Sequence, residues 1–267
     1  MKKQSVYRLV ESALLLAVAS VLSVIKLVDM PYGGSITLLS MLPLVILAYR
    51  HGVKWGLLTG FTYGLIQLLL GLDNFSYATS FGAAVAILVF DYLLAFVVLG
   101  FGGVFRRAVP HQGAALALGS VLTGVLRYLC HVISGATVWY GLSVPSGESL
   151  NYSFGYNLYM APEILLLAVG ALYLSRVISF DKTAITRAPA IEKASPVAAG
   201  LSAVGIVVLL AATITDIVLI VPSLQSDEAA FTLAGLAAVD WPTVGIVTAV
   251  GLALFALLSL IAKKLKK

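Results

Sequence analysis

Residues 79–104, TSFGAAVAILVFDYLLAFVVLGFGGV, decide the fold. The run is apolar from end to end and holds one ionisable side chain, Asp91. At about 1.5 Å per residue a helix of this length covers roughly 39 Å, more than the ~30 Å hydrocarbon core of a bilayer. Apolar and polar residues do not alternate along it, as they would in a membrane β-strand. It reads as a membrane-spanning helix with a carboxylate near its centre.

Working outward, the same criterion predicts about eight spans, at 6–28, 36–50, 54–72, 79–104, 114–139, 152–178, 197–222 and 242–262. The second is short and follows Pro31-Tyr32-Gly33-Gly34-Ser35, which reads as a turn. Of the 267 residues, 60% are hydrophobic and 11% charged, with a mean hydropathy of +1.03. An ordinary soluble domain carries about 25% charged residues. The composition excludes a soluble enzyme, a disordered chain and a nucleic-acid binder. The one cysteine, Cys130, excludes a disulfide scaffold. The expectation is an all-α integral membrane protein. A six-helix domain (1–178) is followed by a polar linker, SFDKTAITRAPAIEKASP (179–196), and a further transmembrane hairpin (197–267). The apolar stretch before Ala17-Val18-Ala19 is too short for a cleaved signal peptide, so the first run reads as a retained helix.

The net charge is +5, and its placement is more informative than its sum. With the N-terminus in the cytoplasm, the inner segments hold every lysine and arginine except Lys26 and Arg127. The acids Asp29, Asp73, Glu148, Asp227, Glu228 and Asp240 all fall outside. This asymmetry predicts a multi-pass protein of the cell membrane with both termini cytoplasmic.

Ionisable groups inside spans cost a few kcal/mol each and are functional candidates by default. They are Asp91, Arg127, His131, Glu163 and Asp216, with Gln67, Tyr152, Tyr156 and Asn157 as uncharged companions. By depth, Asp91, His131, Trp139, Tyr152 and Asn157 converge in the outer half of the membrane on three consecutive helices. Duller readings stand beside this one. Asp91 pairs with Arg127, one turn from His131; His131 is a satisfied core histidine; Trp139 and Tyr152 are interfacial aromatics. Asp216, only about 9 Å from a span end, reads as interfacial. Glu163 follows Pro162, and the sequence assigns it no role. A carboxylate in low dielectric favours a cation, aromatic faces do the same, and imidazole, phenol and amide groups suit a heteroaromatic ring. The chemistry points to a small, flat, cationic ligand taken from outside.

Several segments, in order, carry a family resemblance. They are Met30-Pro31-Tyr32-Gly33-Gly34-Ser35, Leu39 to Pro43, Arg50-His51-Gly52-Val53-Lys54-Trp55-Gly56, Asp91-Tyr92-Leu93-Leu94-Ala95-Phe96, Leu126-Arg127-Tyr128 with His131 to Gly135, and Tyr152-Ser153 with Tyr156-Asn157. Over roughly residues 5–178 the chain resembles the thiamin-specific substrate-binding (S) component of energy-coupling factor transporters, the ThiT family. The resemblance implies a six-helix protein that binds thiamin and performs no chemistry, with no cofactor and no metal. It implies Asp91 and Tyr92 beside the thiazolium cation, and His131, Trp139, Tyr152 and Asn157 lining the same pocket. It implies a lid over Tyr32, Gly33, Gly34 and Ser35, and small residues Ala13 and Ala17 on the first helix docking a coupling membrane (T) subunit that works with two cytoplasmic ATPases. The chain departs from the pattern in carrying Asp91 where glutamate is common, Gly34 where some members have tryptophan, and residues 195–267 with no counterpart.

No G-x-x-x-x-G-K-[ST] segment occurs, so ATP-derived energy would come from other subunits. An S component for another vitamin or a thiamin precursor is the nearest alternative. An intramembrane aspartyl protease using Asp91 and Asp216 is a remote one, because neither acid has a Gly-x-Gly-Asp context. A structural scaffold is disfavoured by the polar cluster.

Overall fold

The computed structural model describes residues 3–29, 34–138, 147–181, 184–224 and 233–265. Helix α1 (Lys3–Val24) leads into an antiparallel hairpin of β1 (Lys26–Asp29) and β2 (Ser35–Thr37). Then come α2 (Leu42–His51), α3 (Val53–Leu70), α4 (Phe81–Arg106), α5 (Gln112–Val138) and α6 (Ser149–Val177). A second hairpin, β3 (Ile178–Phe180) with β4 (Ile185–Arg187), precedes α7 (Pro196–Leu224) and α8 (Trp241–Lys264). Among the described residues, seven of these helices are long and apolar enough to cross a membrane.

The exception is α2. The second expected span, 36–50, divides into strand β2 and a helix of ten residues, about 15 Å long, half of a bilayer core. Pro43 opens α2, and Gly52, at φ 89°, ends it in a conformation that favours glycine. Leu42 to Arg50 are all buried, so α2 is a plug inside the bundle rather than a lipid-facing span. In segment 179–196, expected as a linker, Phe180, Ala188 and Ile191 are buried. The Gln112 amide donates to the Ile178 carbonyl at 2.9 Å and accepts from the Phe180 amide at 2.8 Å, and Phe180 is buried.

Helix α4 is the hub, packed by α2, α3 and α5. Lipid tails are as apolar as leucine, so such contacts rely on close van der Waals fit at small residues. On α3, Gly56, Gly60 and Gly64 recur every fourth position and admit the α4 backbone. A Cβ at Gly60 would lie 2.4 Å from the Phe96 carbonyl oxygen, and one at Gly119 of α5 would lie 2.1 Å from that of Gly102. Across Ile87–Leu94, which carries Asp91 and Tyr92, α4 takes π-helical geometry. Such segments are rare and frequent at functional sites.

Gly60→Ala therefore overpacks the α3–α4 contact and is expected to lower stability by about 1–3 kcal/mol. Gly200→Ala, with nothing within 4 Å of its added methyl, is expected to change stability by less than about 0.5 kcal/mol. Thermal unfolding in detergent compares them.

Candidate functional site

A cavity of about 500 Å³ opens at the end of the bundle that carries the β1–β2 hairpin. Its walls come from that hairpin and from α3 to α6. The fourth helix contributes Asp91, Tyr92 and Phe96, the fifth Arg127, His131 and Ser134, and the sixth Tyr156, Asn157 and Tyr159. Lys26, Gly34, Ser35 and Thr37 line it from the hairpin, and Tyr63, Gln67 and Asn74 from α3 and the turn after it.

Asp91 is the acidic centre. Its Oδ1 lies 2.7 Å from His131 Nδ1, and its Oδ2 accepts from Ser134 Oγ at 2.6 Å. A carboxylate only accepts, so Nδ1 carries the imidazole proton. In the neutral ring Nε2 is then an acceptor, and it is buried without a hydrogen-bond partner. The Asp91 side chain keeps 29% of its surface exposed, so the pair closes only one side of the carboxylate. Ser134 follows His131 by three positions and shares its helix face, the signal that predicts this contact.

Arg127 does not pair with Asp91. Its Nη1 meets Glu163 Oε2 at 3.0 Å, and its guanidinium lies 5.1 Å from the Phe96 ring centre. Glu163, 3% exposed, accepts from Thr37 at two atoms, the backbone N at 3.1 Å and Oγ1 at 2.6 Å. This carboxylate is structural, tying β2 to α5 and α6 beneath the cavity. Asp216 accepts from Thr248 Oγ1 at 2.8 Å, a link between α7 and α8. Asp91 and Asp216 thus have separate partners, which removes the proposed aspartyl dyad.

The Tyr92 hydroxyl donates to the Gly71 carbonyl at 2.7 Å and accepts from Asn74 Nδ2 at 2.8 Å, tying α4 to the turn after α3. Asn157 Nδ2 donates to the Ser153 carbonyl at 2.9 Å. Tyr152 is absent from the lining; it stacks on Tyr156, which takes the cavity position one turn later. Gly34 and Ser35 border the cavity, and a Cβ at Gly34 would meet the Tyr159 ring at 2.8 Å, so a larger residue there would displace that ring. Trp139, Tyr32 and Gly33 lie outside the described residues. On α1, Ala13 and Ala17 are exposed on one face. Polarity and depth pick out Gln67, but Asn74, Tyr63 and Tyr159 carry no such mark, since turn and core positions commonly hold these types.

A bundle of apolar helices holding a polar, aromatic-walled cavity at one end defines an integral membrane solute-binding protein. Residues 9–181 match the family described as Thiamine transporter protein (Thia_YuaJ), and the chain belongs to that family. The family is a transporter family, not an enzyme family. The thiamine transporter ThiT of Bacillus subtilis (strain 168) is 33% identical over 181 residues, 63% of this chain and 90% of the relative. ThiT of Lacticaseibacillus paracasei is 25% identical over 158 residues, 53% of this chain and 72% of the relative. A solved structure of ThiT from Listeria monocytogenes is similar with a TM-score of 0.49 and 24% identity, covering 65% of this chain and 95% of that one. The family match ends at residue 181, before α7 and α8.

Removing one partner of the Arg127–Glu163 pair leaves a buried charge. Glu163→Ala is expected to cost about 3–5 kcal/mol, whereas the double variant Arg127→Leu, Glu163→Leu recovers much of that loss. Unfolding of the three purified chains in the same detergent measures the difference.

Proposed function

We propose that this chain is the thiamin-binding S component of an energy-coupling factor transporter and captures the vitamin from outside the cell. The observation that carries the reading is the Asp91 carboxylate, half closed by His131 and Ser134 in an aromatic-walled cavity. Bonded on one side only, the carboxylate presents its other side to the cavity. A thiazolium ring is permanently positive and holds no tight water shell, so it neutralises that charge at little desolvation cost. The cavity volume lies within the roughly 300–1,000 Å³ of small-molecule sites.

In this proposal Asp91 is the counterion and Tyr92 is part of the aromatic wall. His131 and Asn157, both lining the cavity, hold the aminopyrimidine by hydrogen bonds. Trp139, next in sequence to the cavity-lining Val138, stacks on the ligand. Tyr152 contributes through Tyr156, on which it stacks. The segment Tyr32 to Ser35 acts as the lid, its Gly34 and Ser35 already bordering the cavity. The cavity end faces outward and both termini face the cytoplasm, an orientation the placement of the basic residues supports. Ala13 and Ala17, exposed four residues apart on α1, dock the coupling T subunit, and two cytoplasmic ATPases supply the energy. The surrounding membrane is the cell membrane.

Asp91→Asn keeps the size and the contact to Ser134 but removes the charge. Thiamin affinity is expected to fall at least about tenfold, or 1.4 kcal/mol, by titration calorimetry, with the ligand-free melting temperature little changed. Affinity within a few-fold of the parent would exclude the counterion role. Trp139→Ala is expected to weaken binding by up to about 2 kcal/mol. Mass spectrometry of small molecules carried through purification is expected to detect thiamin and neither folate nor riboflavin; a precursor in its place would shift the substrate within the same site.

A further inference from the structure

Helices α7 and α8 lie beyond the family match, which ends at residue 181. Their placement follows from packing at the cavity end. Ile217, Val221 and Leu224 of α7 form one buried cluster with Tyr156 and Tyr159 of α6 and Ile36 of β2. Leu27 and Val28 of β1 pack against the same cluster. Ile36 and Val221 are both 0% exposed.

Side chains alternate across a strand. Ser35 and Thr37 face the cavity, and Ile36 between them faces α7. Tyr156 and Tyr159 likewise line the cavity on one side and meet the α7 cluster on the other. An isolated two-stranded hairpin is marginal at best, and packing on a helix is what makes it persist. The front of β2 is held by Glu163 at Thr37, and α7 holds the back.

We propose that α7 is an intramolecular brace: Ile217, Val221 and Leu224 are positioning residues that fix the β1–β2 wall and the tyrosine wall, and so slow escape of the ligand. The part of the proposal that concerns ligand escape rests on the binding-site reading above. Removing methyls at Val221 opens a void behind the wall and loosens it without touching any group that lines the cavity.

The test uses the full chain in lipid nanodiscs and two variants on one helix. Val221→Ala lies in the cluster, and Leu209→Ala is at a buried position, 5% exposed, outside it. Amide hydrogen exchange of residues 26–29 and 35–37 is measured without ligand, and thiamin dissociation is followed separately. Val221→Ala is expected to speed hairpin exchange and thiamin release at least about fivefold, with Leu209→Ala within about twofold of the parent on both. Unchanged hairpin exchange in Val221→Ala, or equal acceleration by Leu209→Ala, would overturn the brace. Accelerated exchange with an unchanged release rate would overturn its role in retention. Should Val221→Ala not fold, Leu224→Ala at the end of α7 is read by the same criteria. A parent chain that does not bind thiamin would refute the binding-site reading, while the exchange comparison still decides the brace.

Discussion

A carboxylate inside an apolar bundle must be compensated, and the site is organised around how incompletely Asp91 is. His131 Nδ1 and Ser134 Oγ take one side of it, and the cavity takes the other. Full compensation by an arginine would have made the group inert. A lone carboxylate in low dielectric would have become protonated instead. Two polar contacts from the next helix hold it in place and leave its charge for a ligand. The π-helical turn through Ile87–Leu94 sets the direction of that side chain, and the glycine contacts of α4 with α3 and α5 fix the depth of the turn.

The second intramembrane acid shows the contrast. Glu163 receives two hydrogen bonds from Thr37 and an arginine at 3.0 Å, and it is almost wholly buried. A carboxylate so bonded and so buried presents almost no surface to a solute. Its effect is on shape: it joins the foot of the β1–β2 hairpin to α5 and α6, so the hairpin can serve as a cavity wall. One carboxylate is thus spent on the frame, and the other is kept for binding.

Much of this was legible in the sequence. Apolar runs and basic loops predict the helices, and depth predicts that Asp91, His131 and Asn157 meet. What escaped has a common physical cause. Arg127 and His131 sit one turn apart on α5, so either can face Asp91; the rotation of α5 against α4 and α6 decides between them, and that rotation is set by Gly119 against the Gly102 carbonyl. Tyr152 and Tyr156 are also one turn apart, and depth alone does not say which faces inward. The run at 36–50 has the composition of a span, but β2 takes its first residues and α2 is buried on every side, so hydropathy does not distinguish a plug from a lipid-facing helix. Segment 179–196 reads as a linker by polarity, whereas the Gln112 side chain supplies hydrogen bonds that dock it.

The appended helices have to be understood through the mechanics of packing in lipid. Apolar contact between helices gains nothing from excluding water there, so α7 holds its place by fit against α6 and α8. At the Arg50 end, the Arg176 guanidinium lies 5.4 Å from the Phe255 ring of α8 and 5.7 Å from Tyr173. At the cavity end, Val221 and Ile36 are sealed against each other's cluster. Asp216 and Thr248 join α7 to α8, and the two helices pack along their length. The wall behind which α7 lies, β2 with Tyr156 and Tyr159, is backed by a helix that packs on both α6 and α8.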